Sequence, residues 1–295
     1  MSTYSLATLN TASEADFTAA LGDIYEHSPW VAKAAAAARP FASLEALHQA
    51  MMAAVRSAPE ATRRALIKAH PDLAGKAARA GAMTADSVNE QASVGLDRLT
   101  DAEFDRFTRL NDAYQSKFGI PFIVCVRRHT KDSVLRQFEL RLMNDRPTES
   151  DAALTEIFRI AALRLDAKVT APDKLKVTGH LSTHVLDTHG GLPARGVTFE
   201  LRELSIAGAD RVLVKAVTNA DGRTDAPLIS GRPLPIGSYE LRFEMAAYFA
   251  ARGVPMAEPP FLSIVPIRFA IAEPEGRYHV PLSVTPWSYA TYRGS

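Results

Sequence analysis

The chain carries a single cysteine, Cys125, among 295 residues. One thiol excludes an intramolecular disulfide framework and favours a reducing compartment. It also removes the paired cysteines that most structural zinc sites use, and no Cys/His spacing of that type occurs, so no metal is expected. Charge of either sign is scarce in excess: the formal net charge is +1. No run of Lys or Arg supplies a local field, which argues against nucleic acid as a partner. Long apolar runs are missing too. The longest charge-poor stretch, 31–38, is interrupted by Lys33 and falls far short of the roughly 20 residues needed to span a bilayer. The first residues lack a basic segment followed by an apolar one, so no secretory signal is expected. The final residues are not a Ser-Lys-Leu tag. The expectation is a soluble cytoplasmic protein with no membrane partner.

The length favours two domains over one typical domain of roughly 100–200 residues. A 47% hydrophobic share is enough for two cores. Two periods divide the chain. In the first half apolar residues recur at helical spacing: Phe104, Phe107, Leu110 and Ala113; Val134, Leu135, Phe138 and Leu142; Leu154, Ile157, Phe158, Ala161, Ala162 and Leu165. Ser13 followed by Glu14 and Asp16 reads as a helix start. Pro147 separates the last two helices. In the second half Val197, Phe199 and Leu201 alternate with polar residues, and short β-branched runs occupy 212–217, 239–243 and 264–271. Gly190-Gly191, Asp221-Gly222 and Pro235-Ile236-Gly237 mark turns between them. These features predict an all-α domain over 1–166, a polar linker over 167–176 and an all-β sandwich over 177–295. One short helix is expected near 245–251, ended by Gly253.

Three polar patches stand out in the second half: 181–191, 218–225 and 278–295. In the last, alternation puts Val280, Leu282 and Val284 on one strand face and His279 on the other. Taken singly, His279 and Arg223 read as solvated surface residues. Together the patches Leu-Ser-Thr-His-Val-Leu-Asp-Thr (181–188), Gly-Arg (222–223), Val-Pro-Ile-Arg-Phe (265–269), Tyr-His-Val-Pro-Leu (278–282) and the terminal Tyr-Arg-Gly-Ser resemble the 5-hydroxyisourate hydrolase family, the enzymatic relatives of transthyretin. The resemblance implies a transthyretin-like (prealbumin) sandwich, a homotetramer built through this domain, and catalytic roles for His184, Arg223, His279 and Ser295, with Tyr292 on the substrate. The implied chemistry is the opening of a cyclic amide by water. One imidazole acts as base, the other as acid or orienting group, and Arg223 holds developing negative charge. Which histidine is the base stays open.

In the first half His70 precedes Pro71, which forces the backbone out of the helix, so His70 should end a helix over 63–69. Alone, such a histidine is often just a partner for the last helical carbonyls. Glu90-Gln91 alone reads as a solvated helix face. The apolar run 118–126 reads as a buried strand or core segment, and Cys125 as a small core hydrophobe. Arg164, unlike Arg159, lies near the edge of an apolar helical stripe. His-Pro-Asp-Leu (70–73), Glu-Gln (90–91), Lys-Phe-Gly-Ile-Pro-Phe (117–122) and Glu-Ile-Phe-Arg-Ile-Ala-Ala-Leu-Arg-Leu (156–165) together resemble the decarboxylase of 2-oxo-4-hydroxy-4-carboxy-5-ureidoimidazoline, OHCU. The resemblance implies that His70 is the acid/base residue, with Glu90 and Arg164 as catalytic partners. It implies that Pro71, Ser87, Gln91 and the segment Phe122, Ile123, Val124, Cys125 and Val126 hold the substrate. Neither resemblance implies a cofactor.

The two likenesses combine into a bifunctional enzyme of urate breakdown, in which the second domain makes OHCU and the first converts it to (S)-allantoin. The alternatives are a transthyretin-like carrier with a helical assembly domain, or a chain with one active domain. The carrier reading is disfavoured because carriers of that family lack both the histidine pair and the Tyr-Arg-Gly-Ser end.

Overall fold

The computed structural model describes residues 3–73, 85–206 and 209–294. The chain divides into two compact units. One comprises Met1–Arg127 with Ser133–Val177; the other comprises Arg128–Asp132 with Thr178–Ser295.

The first unit is helical. Its described helices are α1 (Leu6–Thr11), α2 (Glu14–Leu21), α3 (Pro29–Ala35), α4 (Leu44–Ser57), α5 (Glu60–Lys68), α6 (Ala85–Ala92), α7 (Asp101–Phe118), α8 (Lys131–Arg141, whose first two residues cluster with the other unit) and α9 (Arg146–Lys168). Side-chain caps start several of them. Ser13 Oγ accepts from Asp16 N, Ser43 Oγ from Ala46 N, and Asp145 Oδ1 from Thr148 N. Thr100 and Glu103 cap α7 reciprocally, satisfying donors that the first turn leaves without intrahelical partners. Pro147 sits in the first turn of α9, where its missing N–H costs nothing. Gly119 ends α7 in the left-handed conformation, φ 66°, which a side chain would strain.

The run after α7 is core and not strand: 121–125 forms no ladder, and Phe122, Ile123, Val124 and Cys125 are buried. Side chains take up its backbone groups. Arg141 Nη1 donates to Ile123 O at 2.6 Å, and Glu156 Oε2 accepts from Cys125 N at 2.8 Å. Arg141 is itself anchored, donating Nε to the fully buried Glu149 at 2.8 Å, while Asn144 and the Tyr114 hydroxyl also donate to that carboxylate. A buried carboxylate is tolerable when paired and hydrogen-bonded in this way.

The stretch expected as a linker is largely tied to this unit. Strand β1 (Tyr4–Ser5) pairs in parallel with β2 (Val169–Thr170). The Asp173 carboxylate accepts from the Leu44 and Glu45 amides at the start of α4. Two paired residues and a helix-end carboxylate convert a polar, Pro-containing segment from free chain into anchored chain.

The second unit is a sandwich of two four-stranded sheets. One has the order β10 (Tyr289–Thr291), β9 (Arg277–Val284), β3 (His180–Asp187), β4 (Leu192–Pro193). The other has the order β6 (Arg211–Val217), β5 (Thr198–Glu203), β7 (Gly237–Glu244), β8 (Ile264–Ile271). All pairs are antiparallel except β3 with β9. Phe199, Leu201, Tyr239, Leu241, Phe243, Val265 and Ile267 from one sheet share a core with Leu181, Val185, Val280, Leu282 and Val284 from the other. Alternation leaves His180, Ser182 and His184 of β3, and His279 of β9, on the opposite face, as the pattern around Val280 requires. The short helix α10 (Met245–Ala251) lies between β7 and β8, and Gly253 follows it at φ 70°. None of the described helices is long and apolar enough to cross a membrane.

Candidate active sites

The helical unit holds a pocket lined by His70, Pro71, Leu73, Ser87, Glu90, Gln91, Phe122, Ile123, Val124, Val126, Ile160 and Arg164. Three positions on different elements supply the polar groups: the exit of α5, helix α6 and helix α9. His70 lies two residues past the end of α5 and turns its ring back, so that Nδ1 meets Leu66 O at 3.0 Å. The carbonyl can only accept, so Nδ1 carries the proton and Nε2 keeps its lone pair. His70 is therefore both a helix-end partner and a pocket residue. Arg164 donates Nε and Nη2 to the two oxygens of Glu90, each at 3.0 Å, a bidentate fork of the strong kind. Arg164 Nη1 donates to Glu26 Oε2 at 2.9 Å, and Ser87 Oγ donates to Glu26 Oε1 at 3.2 Å.

Glu90 engages Arg164, and the imidazole bond of His70 goes to a backbone carbonyl. One expectation changes here. Cys125 is not among the described lining residues; its side chain is buried and its amide faces Glu156. Phe122, Ile123, Val124 and Val126 do line the pocket. Glu26 is the residue that sequence reasoning missed. It lies between α2 and α3, where no periodicity marks it; an acid next to a histidine just before Pro29 is the only signal. Arg159, judged the poorer candidate, pairs with Glu156 outside the pocket.

Burial governs the electrostatics. Desolvation pulls the His70 imidazole down to about 4, reinforced by Arg164 and His27, against the opposing bond to Leu66 O and the charge of Glu26. The ring is therefore neutral at neutral pH. Desolvation pushes the Glu90 carboxyl above its usual range, against the opposing guanidinium of Arg164.

Unfolded His70 takes up its proton near pH 6.5 and the folded residue only near 4, so the unfolded chain binds more protons between those values. The contribution of His70 to stability is full above about pH 6.5 and falls by up to about 1.4 kcal/mol per pH unit below it. Glu90, with its raised pKa, acts in the opposite sense. A histidine-resolved NMR titration should show the His70 ring unchanged from pH 7 to 5; a midpoint near 6.5 would contradict the buried neutral ring.

The second constellation lies on the outward face of β3 and β9. Ser182 pairs with His279 in register, and Ser182 Oγ lies 3.0 Å from His279 Nδ1. The His184 and His279 rings are 6.5 Å apart, tilted by 43°. The carbonyl of Asp221 bonds the His184 ring, while its Nε2 is buried with no partner among the described residues. Asn219 Oδ1 accepts from the amides of Asp221 and Arg223 and so shapes the turn. Gly222 sits against β3 at φ 70°, and its carbonyl accepts from Val185 N at 2.8 Å. Burial and then the Arg223 guanidinium lower both histidines, and His279 is lowered further by His184 and His180. Both rings thus stay neutral to below their ordinary range, and Arg223, itself exposed, acts on both.

The chain end returns to this face. Gly294 N donates to His279 O at 2.8 Å, and a Cβ on Gly294 would come within 2.9 Å of the His279 ring. Arg293 stacks over Tyr278 at 4.6 Å. Tyr292 is 65% exposed in the single chain, so it does not pack against the histidines there. Ser295 lies outside the described residues. Ser182 was not anticipated, although its alternation with His184 places both on one face. Among the described residues, no group of three His, Cys, Asp or Glu converges as a metal ligand set.

Comparison with known proteins agrees with this division. The profile of the OHCU decarboxylase family matches residues 10–166, and that of the HIUase/Transthyretin family matches 181–294. The chain is 41% identical over 172 residues to a 2-oxo-4-hydroxy-4-carboxy-5-ureidoimidazoline decarboxylase of Halalkalicoccus jeotgali, covering 58% of this chain and 95% of that one. It is 53% identical over 122 residues to a 5-hydroxyisourate hydrolase of Deinococcus radiodurans, covering 40% of this chain and all of that one. The crystal structure of an (S)-allantoin synthase is 36% identical and covers 99% of this chain and 100% of its own, with a TM-score of 0.51. The chain belongs to the OHCU decarboxylase family through its helical unit and to the HIUase/transthyretin family through its sandwich.

Proposed function

We propose that this chain is a bifunctional enzyme of urate degradation. The sandwich (177–295) hydrolyses 5-hydroxyisourate to OHCU, and the helical part (1–166) decarboxylates OHCU to (S)-allantoin. The observation that carries the reading is the near full-length likeness to (S)-allantoin synthase, together with two separate polar sites in one chain.

In the sandwich, His184 is the base. Its ring N–H faces the Asp221 backbone, and Nε2 is a buried acceptor without a partner among the described residues. Such an acceptor is costly unless water or substrate uses it. Nε2 takes a proton from water, the hydroxide adds to the amide carbonyl, and the C–N bond breaks as the departing nitrogen takes up a proton. Arg223 holds the oxyanion. His279, oriented by Ser182, supplies or relays the second proton. Tyr292 and Ser295 complete the substrate contacts.

In the helical unit the substrate supplies its own electron sink. The C–C bond to the carboxylate breaks, CO2 leaves, and the bonding pair passes into the adjacent C=N system. The bare Nε2 of His70 takes a proton from the substrate and returns it to the ring carbon from one face, which sets the single stereocentre. Pro71, Ser87, Gln91 and the 122–126 backbone position the ring. Glu90, held by Arg164, orients a substrate N–H or O–H.

The protein is cytoplasmic in this reading and a homotetramer through the sandwich. The exposed Leu192, Trp287, Tyr289 and Tyr292, in or beside the β10-β9-β3-β4 sheet, support an assembled face there. Fusion places the second site at high effective concentration near the first. An NMR time course on fresh 5-hydroxyisourate tests the reading: allantoin should form without OHCU building up. Stoichiometric OHCU accumulation, or binding without turnover as a carrier would show, would overturn it.

A further inference from the structure

We propose that Glu26 is a positioning residue of the decarboxylation site, fixing the Arg164 guanidinium so that its fork holds Glu90 in one orientation toward the pocket. This inference rests on the decarboxylase reading of that pocket.

Arg164 has five N–H donors. Nε and one Nη2 hydrogen go to Glu90, one Nη1 hydrogen goes to Glu26, and Nη1 also lies 3.5 Å from Ile24 O. Little donor capacity remains, so the guanidinium is poorly placed to be the main counter-ion of the substrate carboxylate. Its role is to hold carboxylates still. Glu26 and the Arg164 side chain are 2% and 8% exposed, so neither is steadied by water. From the link between α2 and α3, Glu26 grips α9 through Arg164 and α6 through Ser87. It thereby fixes two pocket-lining side chains at once.

A second observation is independent of these bonds. His27, next in the chain, is the only non-glycine residue among those described with positive φ, at 45°. A side chain in that region is strained, and such strain persists where the surroundings enforce it. Here it lies directly beside the carboxylate that bonds Arg164 and Ser87 of the pocket wall. Two carboxylates on one buried guanidinium leave Glu26, Glu90 and Arg164 with a formal charge of −1. A stability role alone needs only one partner, and the second carries a desolvation cost. Clamping the fork from both ends accounts for it.

Glu26→Gln is nearly isosteric and keeps an acceptor for Nη1 while removing the charge; Glu26→Asp keeps the charge and withdraws it by one methylene. The charged or titratable groups acting on Glu90 are Arg164, Asp86 and Glu26, and those acting on His70 are Glu26, Arg164 and His27. With freshly generated OHCU, Glu26→Gln should lower kcat by about 10- to 100-fold, change KM by less than about threefold, and move the Glu90 limb of the pH profile toward acid. Glu26→Asp should recover part of the loss. In an Arg164→Gln background the same change should add nothing, because residues acting through one another are non-additive. Thermal unfolding of each variant separates lost fold from lost positioning. A folded Glu26→Gln with wild-type kcat and pH profile would overturn the proposal, as would additive losses in the double variant. If Glu26→Gln does not fold, Glu26→Asp decides by the same two criteria. A wild type that fails to decarboxylate OHCU overturns the reading of the pocket itself, an outcome distinct from the others.

Discussion

Replacing His70 by Ala is expected to slow decarboxylation by about 10²- to 10⁴-fold, the range for loss of a positioned acid/base group. The residual allantoin should be racemic. The expectation follows from the proton inventory of the pocket. Glu90 is held in a bidentate fork by Arg164, and Glu26 is held by Arg164 and Ser87. Nε2 of His70 is left with a lone pair in the pocket wall, its other nitrogen being committed to Leu66 O. Among the described lining residues no other group is both neutral and able to take and return a proton at neutral pH. OHCU should accumulate in this variant and decay at its uncatalysed rate, which time-resolved NMR would read. Retention of more than a tenth of the wild-type rate, with one-handed product, would remove His70 from the chemistry.

Replacing Gly222 by Ala should be among the most damaging single-methyl changes in the sandwich. Its φ of 70° costs an L-residue roughly 1–2 kcal/mol. The added Cβ would stand 2.3 Å from Val185 O and 3.1 Å from Ala194 N. Both are backbone atoms in a hydrogen-bonded pair, since Ala194 N donates to Val185 O at 2.9 Å, so neither can swing aside. The same Cβ would press on the His184 ring at 3.3 Å. The turn must therefore lift off β3, carrying Asp221 and Arg223 away from the histidines. A loss of about 10²-fold in hydrolysis is expected, with destabilisation of roughly 3 kcal/mol. Gly191→Ala is the matched control: φ is 68°, but nothing lies within 4 Å of the added methyl. It should cost only the backbone strain and keep hydrolysis near the wild-type rate. Equal kinetics for the two variants would show that the close approach at Gly222 does not shape the site.

Much of this was legible in the sequence for physical reasons. Helical and strand periods reflect one-sided burial, so the α9 stripe and the outward placement of His279 could be read directly. His70 was legible because Pro71 forbids the helix to continue through it. Glu26 was not, since it is placed by long-range pairing with Arg164 from an irregular link, and local patterns carry no such information. Nor could the segment 121–125 be distinguished from a strand, because the groups that replace a ladder, Arg141 and Glu156, are distant in sequence. The stretch 167–176 looked free because its composition is polar, yet Val169, Thr170 and Asp173 are each paired. Tyr292 was assigned to a pocket from its motif, whereas the single chain leaves it exposed.

A chain that carries 5-hydroxyisourate through both steps should release a single enantiomer of allantoin. Circular dichroism of the product formed from fresh 5-hydroxyisourate should then show a signal of one sign that grows with product and persists. An optically silent product, formed no faster than without the protein, would contradict this route.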